Sequence, residues 1–100
     1  MVRHVILWTL KDEYSISEKT EIKKGIKLNL EALVGKIEGL LEVKVYTDGL
    51  ASSTAEVMLD SLFESAEKLK NYSSHPDHVY VADNFVRPYT ATRTCLDFEV

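Results

Sequence analysis

The segment from Val2 to Leu10 is apolar on both faces of one extended strand, and this limits the fold more than any other feature. One face carries Val2, His4, Ile6, Trp8 and Leu10, and the other carries Val5 and Leu7. A strand that is apolar on both faces is covered on both faces when the chain folds. The sequence therefore predicts a sheet that needs material packed against each side.

The next segment has the pattern of a long helix. Ser15 and Glu18 have the spacing of a capping box, which marks a helix start, and Gly39 is suited to a helix stop. Between them, apolar residues recur at three- and four-residue spacing, as a single buried stripe requires: Ile22, Ile26, Leu30, Leu33, Ile37 and Leu40. The sequence predicts one helix over this region.

Three further strands and a broken helical region follow. The strands are predicted from about Leu41 to Tyr46, from Ala55 to Phe63, and from Thr90 to Val100. Glu64 or Ser65 begins a helix, which breaks at His75 because Pro76 disfavours the helical conformation in the residue before it. Proline suits a first helical position, so a new helix is predicted from Pro76 to Arg87.

This order of elements is strand, helix, strand, strand, broken helix, strand. It is the split β-α-β order of α+β ferredoxin-like folds, in which both helices cover one face of a four-stranded antiparallel sheet. The opposite face has no helix to cover it, although the first and third strands are apolar on both sides. We therefore expect one domain, residues 1–100, that pairs into a homodimer through its helix-free sheet face.

Charge and composition exclude several classes of partner. The net charge of −4 argues against nucleic acid, whose phosphates require clustered Lys and Arg. No run of 18 apolar residues occurs, so no membrane span is predicted. The first apolar run lacks a small-residue cleavage site, which favours a cytoplasmic protein. Cys95 is the single cysteine, so neither an intramolecular disulfide nor a cysteine-rich zinc site is expected.

The run Tyr72-Ser73-Ser74-His75-Pro76-Asp77-His78-Val79 gathers two imidazoles and a phenol at the break between the helices. His78 would lie in the first helical turn, where the helix dipole favours the neutral imidazole of a general base, although Asp77 opposes that effect. The break at His75 would fold the Tyr72 phenol back toward His78. Asp97 on the last strand is a candidate to accept a hydrogen bond from His78.

Structural roles remain open for each of these residues. In the structural alternative, His75 is a helix cap with no further role, and Tyr72 is a core aromatic residue with no further role. His78 and His4 can be buried histidines whose nitrogens bind backbone or carboxylate groups. A metal site formed by His4, His75 and His78 is not predicted, because nothing brings the start of the helix to the first strand. No cofactor is expected.

The chain resembles the stress-responsive α/β barrel (Dabb) family. The resemblance lies in Val2-Arg3-His4-Val5-Ile6-Leu7, Leu10-Lys11-Asp12-Glu13, Phe63-Glu64-Ser65, and Tyr72-x-x-His75-Pro76-x-His78-Val79. The resemblance implies ferredoxin-like protomers that pair into a dimeric α+β barrel. The family includes plant stress-induced proteins, a plant polyketide cyclase and many bacterial members without an assigned activity, so membership indicates fold better than function.

The resemblance to the cyclase also implies roles for individual residues. Tyr72 and His78 match its catalytic pair, Asp97 matches an aspartate near the histidine, and His4 matches a pocket histidine. The expected ligand pocket comprises His4, Ile6, Trp8, His75 and Val79. Trp8 stands where the cyclase has a smaller aliphatic residue, so an indole would fill much of the cavity.

Three functions follow as hypotheses. The favoured one is a homodimeric domain with a pocket for a small apolar or aromatic molecule and no turnover. The alternative is a cofactor-free cyclase or isomerase with His78 as general base and Tyr72 as acid or oxyanion donor. A monooxygenase of the same dimeric barrel architecture is a further alternative.

Overall fold

The computed structural model describes all residues, 1–100. The elements in chain order are β1 (Val2–Leu10), α1 (Ile16–Glu31), β2 (Leu40–Tyr46), β3 (Val57–Phe63), α2 (Ala66–Ser74), α3 (Pro76–Val81), a π-helical turn (Ala82–Val86) and β4 (Thr90–Glu99). The strands form one antiparallel sheet in the order β2-β3-β1-β4. The predicted α+β ferredoxin-like protomer is confirmed.

Side-chain caps explain where the helices begin. The Ser15 hydroxyl accepts a hydrogen bond from the amide of Glu18, whose carboxylate accepts one from the Ser15 amide, so the predicted capping box is present. Ser65 caps α2 through the amide of Lys68. Each cap satisfies backbone donors that have no partner inside the helix.

The prediction that the first helix continues to Gly39 is wrong. Helix α1 ends at Glu31, and turns connect it to β2. Gly35 and Gly39 have φ angles of +87° and +86°, a region that favours glycine and that a right-handed helix does not use. Leu33 and Ile37 are nevertheless buried. The spacing of these residues correctly predicts that they are buried, but it does not show that the segment is helical.

The hydrophobic core lies between the helices and one face of the sheet. The alternating residues of β1 that face the helices are buried. They pack with α1, α2 and the neighbouring strands, and the core includes Ile26, Leu30, Leu59, Phe63 and Tyr72. None of the helices has both the length and the apolar character needed to cross a membrane.

The opposite face of the sheet carries no helix. Leu7, Tyr46, Leu96 and Phe98 are exposed there, and Leu96 is 64% exposed. Arg3 and Asp60 form an ion pair on the same face with an Nη1–Oδ1 distance of 2.8 Å. A single protomer therefore presents a mixed apolar and charged surface on this side.

Candidate functional site

The junction between α2 and α3 follows from Pro76. His75 has the extended conformation that a residue before proline prefers, with φ −65° and ψ 133°. Its Nδ1 accepts a hydrogen bond from the Asp77 amide at 3.1 Å, so His75 is the cap of α3. The abrupt change of direction places Tyr72 and His78, from two different helices, side by side.

A partly enclosed cavity of about 130 Å³ lies between the sheet and this junction. Its apolar wall includes Ile6, Trp8 and Leu59, and its polar residues include His4, Tyr72, His78, Arg87 and Arg93. Of the pocket residues expected from sequence, His4, Ile6 and Trp8 line it. His75 and Val79 do not line it, and His75 instead caps α3.

Tyr72 is 2% exposed, and its ring is held between Phe63 and His78 at centroid distances of 4.9 and 4.1 Å. Its hydroxyl has no hydrogen-bond partner in the protein and is not sealed from the cavity that the residue lines. Burial raises the pKa of Tyr72 well above its ordinary value. The phenol is therefore a neutral hydrogen-bonding group available inside a largely apolar cavity.

His78 is held by the carbonyl oxygen of Ser73, which lies 3.3 Å from its Nδ1. A carbonyl can only accept, so in the neutral ring Nδ1 carries the proton and Nε2 keeps its lone pair. Burial lowers the pKa of His78; the bond to Ser73 opposes this effect, and the charges of Arg87 and Arg93 add to the lowering. An uncharged imidazole with a free lone pair can accept a proton or a hydrogen bond.

Asp97 does not bind His78, contrary to the expectation from sequence. Its carboxylate instead accepts a hydrogen bond from Nδ1 of His4. The reason is the strand register, because His4 and Asp97 are directly paired across β1 and β4 and their side chains share a face. His4 is thus a buried histidine with a satisfied nitrogen that also lines the cavity.

Arg87, Arg93 and Cys95 were not among the site residues expected from sequence. Arg87 follows the π-helical turn, in which its amide donates to the Ala82 carbonyl five residues earlier. This extra residue in the turn brings Ala82, Val86 and Arg87 to the cavity wall. No periodic signal in the sequence marks a π-helical turn.

The Sγ of Cys95 lies 3.7 Å from His4 Nδ1 and 3.5 Å from Asp97 Oδ1.

A larger groove of about 500 Å³ lies beside β2 and the loop 47–56. It is open to solvent and contains none of the expected site residues. Ligand sites are usually concave and enclosed, with a few convergent polar groups. The smaller Tyr72–His78 cavity fits that description better than the groove, so we take it as the candidate site.

The chain belongs to the Dabb family, the stress responsive A/B barrel domain, whose family model matches residues 2–100. A relative from Arabidopsis thaliana, a stress-response A/B barrel domain-containing protein, is 33% identical over 90 residues. That match covers 88% of this chain and 32% of the relative, so the chain spans about a third of the length of the plant protein. The resemblance expected from sequence is confirmed.

Solved structures share the fold along the whole chain. A dimeric ferredoxin-like protein of unknown function from Bacteroides fragilis has a TM-score of 0.92 and 28% identity, covering 99% of this chain and 95% of its own. Other dimeric ferredoxin-like proteins of unknown function share the fold. A hydroxynitrile lyase from Passiflora edulis has a TM-score of 0.77 and 20% identity, covering 97% of this chain and 90% of its own. At that identity the lyase shows the fold alone.

Proposed function

We propose that this stress-responsive A/B barrel domain works as a homodimer whose Tyr72–His78 cavity binds a small, largely apolar molecule. The observation that carries the proposal is the Tyr72 hydroxyl, which ends a side chain that is only 2% exposed. This hydroxyl makes no hydrogen bond to the protein and is not sealed off, so it is open to the cavity that Tyr72 lines and free to donate or accept there. A molecule in the cavity would supply the missing partner.

The cavity limits the size of that molecule. Its volume of about 130 Å³ is below the roughly 300–1,000 Å³ of drug-sized sites. It is close to the roughly 150 Å³ of apolar cavities that take up benzene. Because the Trp8 indole forms part of the wall, the ligand is a single ring or a short chain, and a long polyketide does not fit.

The polar residues specify one end of the ligand. Tyr72 and His78 lie beside Arg87 and Arg93 in the same cavity wall. These groups suit a carbonyl, hydroxyl or carboxylate oxygen on an otherwise apolar molecule.

Calorimetric titration with acetophenone and benzoate tests this proposal. We expect one site per protomer in the wild type and much weaker binding in His78→Ala. The matched control is His75→Asn, which changes a histidine outside the cavity for another capping residue and should bind as the wild type does. Equal binding by all three proteins, or no binding of either probe at millimolar concentration, would contradict the proposal.

A cofactor-free enzyme is the second candidate, and the state of His78 favours it specifically. With its proton on Nδ1 and a lone pair on Nε2, His78 can remove a proton from the carbon beside a bound carbonyl group. The Tyr72 hydroxyl can then donate a hydrogen bond to the enolate oxygen, and the proton returns from His78 to carbon in the product. No observation favours a monooxygenase in the same way.

Hydrogen–deuterium exchange separates binding from catalysis. In D₂O, an enzyme of this kind would speed the exchange of the methyl protons of acetophenone, followed by NMR, and His78→Ala would abolish the acceleration. A pure binding protein would retain the ligand and leave the exchange rate at that of buffer.

A further inference from the structure

We propose that His4, Cys95 and Asp97 form a site for one divalent transition-metal ion, with Zn²⁺ as the best fit. The three residues lie on the paired strands β1 and β4. The register pairs His4 with Asp97 and Ile6 with Cys95, so the three side chains project from the same face of the sheet. A nitrogen, a sulfur and a carboxylate oxygen thereby lie within 4.8 Å of one another.

The separations of these atoms agree with a tetrahedral ion. Zinc–sulfur bonds of about 2.3 Å and zinc–nitrogen or zinc–oxygen bonds of about 2.1 Å place sulfur about 3.5 Å from each of the other two ligand atoms. The Cys95 Sγ lies 3.7 Å from His4 Nδ1 and 3.5 Å from Asp97 Oδ1. Two of the three edges of the ligand triangle are already in place.

The third edge must open. His4 Nδ1 donates a hydrogen bond to Asp97 Oδ1, whereas two ligands of one zinc ion lie about 3.4 Å apart. The Asp97 side chain is 45% exposed on an edge strand, so it can rotate away while His4 stays fixed on the central strand β1. The ion would then replace this hydrogen bond between the two groups.

The donor set selects the kind of ion. Magnesium and calcium prefer oxygen ligands throughout, while a thiolate, an imidazole and a carboxylate together suit zinc or cobalt. A thiolate and a carboxylate would neutralise the charge of a divalent ion. Three protein ligands leave one tetrahedral position for water, and His4 places the ion at the border of the cavity.

The positive charge of Arg93, which lies two residues before Cys95 on the same face of β4, opposes cation binding. Zinc binds the thiolate form of cysteine, so metal binding releases the thiol proton of Cys95.

Titration of the metal-free protein with Co²⁺ alone tests the site without any organic ligand, so its outcome is independent of the proposed function. We expect one equivalent per chain, with the near-ultraviolet absorption of a thiolate–cobalt bond and the intense visible bands of tetrahedral coordination. Cys95→Ser should lose the near-ultraviolet band. Cys95→Ser should also weaken cobalt binding. The loss should be at least roughly 10- to 100-fold, because removing only the hydrogen-bond partner of a metal ligand already costs that much.

Cys95 is exposed on an edge strand, so Cys95→Ser should fold, and circular dichroism checks this. His75→Asn is the control, since it alters a histidine away from the three ligands and should bind cobalt as the wild type does. Absence of the near-ultraviolet band in the wild type, or an unchanged titration in Cys95→Ser, would overturn the proposal.

Discussion

Tyr72 combines a packing role and a polar role that two substitutions separate. Tyr72→Phe keeps the ring contacts with Phe63 and His78 and removes a hydroxyl without a protein partner. We expect its free energy of unfolding to change by less than about 0.5 kcal/mol, while affinity for a ligand with a carbonyl or carboxylate oxygen falls. Tyr72→Ala should lose about 3–5 kcal/mol because it leaves a large core cavity.

Urea denaturation of the two variants measures these changes, and calorimetry measures the affinity. A loss of more than about 1 kcal/mol in Tyr72→Phe would mean that the hydroxyl has a partner inside the protein. That outcome would remove the main support for a ligand in the cavity.

His78 should make stability depend on pH. Burial, with a further effect from Arg87 and Arg93, lowers its pKa in the folded protein below the value of 6.5 expected in the unfolded chain. Between these two pKa values the unfolded chain binds a proton that the folded protein does not. The free energy of unfolding therefore rises with pH in this window and falls on acidification through it.

We expect His78→Gln to have a shallower decline in stability than the wild type between about pH 7 and 5, measured by urea denaturation at each pH. Burial alone would raise the pKa values of Glu31 and Glu56. Hydrogen bonds from lysines and backbone amides outweigh burial and hold both pKa values below the ordinary range. Their effect belongs to more acidic pH and is common to both proteins. Identical slopes for the two proteins would show that His78 titrates normally.

The residues of the site were predictable to the extent that local sequence determines their neighbours. Tyr72 and His78 are joined by a short segment with one proline, so their approach could be expected from the order of residues alone. The partner of Asp97 depends on which residue of β1 lies opposite it across the sheet. Strand register depends on residues far apart in sequence. For this reason the sequence suggested His78 as the partner of Asp97, whereas the partner in the structure is His4.

At the scale of elements, the α2–α3 junction was predictable because Pro76 acts on its immediate neighbours. His75 then caps α3 but does not line the cavity. A substitution at His75 should therefore change the free energy of unfolding and not the affinity for a ligand. His75→Ala should lower the free energy of unfolding by about 0.5–2 kcal/mol and leave probe affinity unchanged, by denaturation and calorimetry. A marked loss of affinity would instead mean that the cap orients His78.

Two other features of the elements could not be predicted. Apolar residues recur at helical spacing beyond Glu31, but positive φ angles at Gly35 and Gly39 make that segment a series of turns. The π-helical turn at Ala82–Val86 inserts one residue per turn without any compositional mark. Its consequence, the placement of Arg87 at the cavity, was therefore missed as well.

For the whole molecule, the uncovered sheet face predicts self-association. Phe98 is 40% exposed on the helix-free face of β4, whereas Leu28 is 71% exposed on helix α1. Phe98→Glu places a charge on the proposed interface and should convert a dimer into a monomer in light scattering after gel filtration. Leu28→Glu is the matched control and should remain dimeric. Dissociation of both variants, or of neither, would contradict an interface on this face.

The fold could be predicted because element order, helix caps and two-sided apolar strands all indicate the same architecture. The ligand could not, because the cavity is built from residues far apart in sequence, between His4 and Arg93. Family membership does not supply the missing information either, since one fold carries many activities. The chemistry of the cavity is therefore inferred from the residues that line it.

The most direct test of the central claim is a two-dimensional NMR titration of the labelled wild-type protein with benzoate and acetophenone. We expect the largest shifts at the Trp8 indole, Ile6, Tyr72 and His78, and we expect them to disappear in His78→Ala. No shift at these residues at millimolar probe, or shifts confined to the open groove beside the loop 47–56, would show that the Tyr72–His78 cavity is not the binding site.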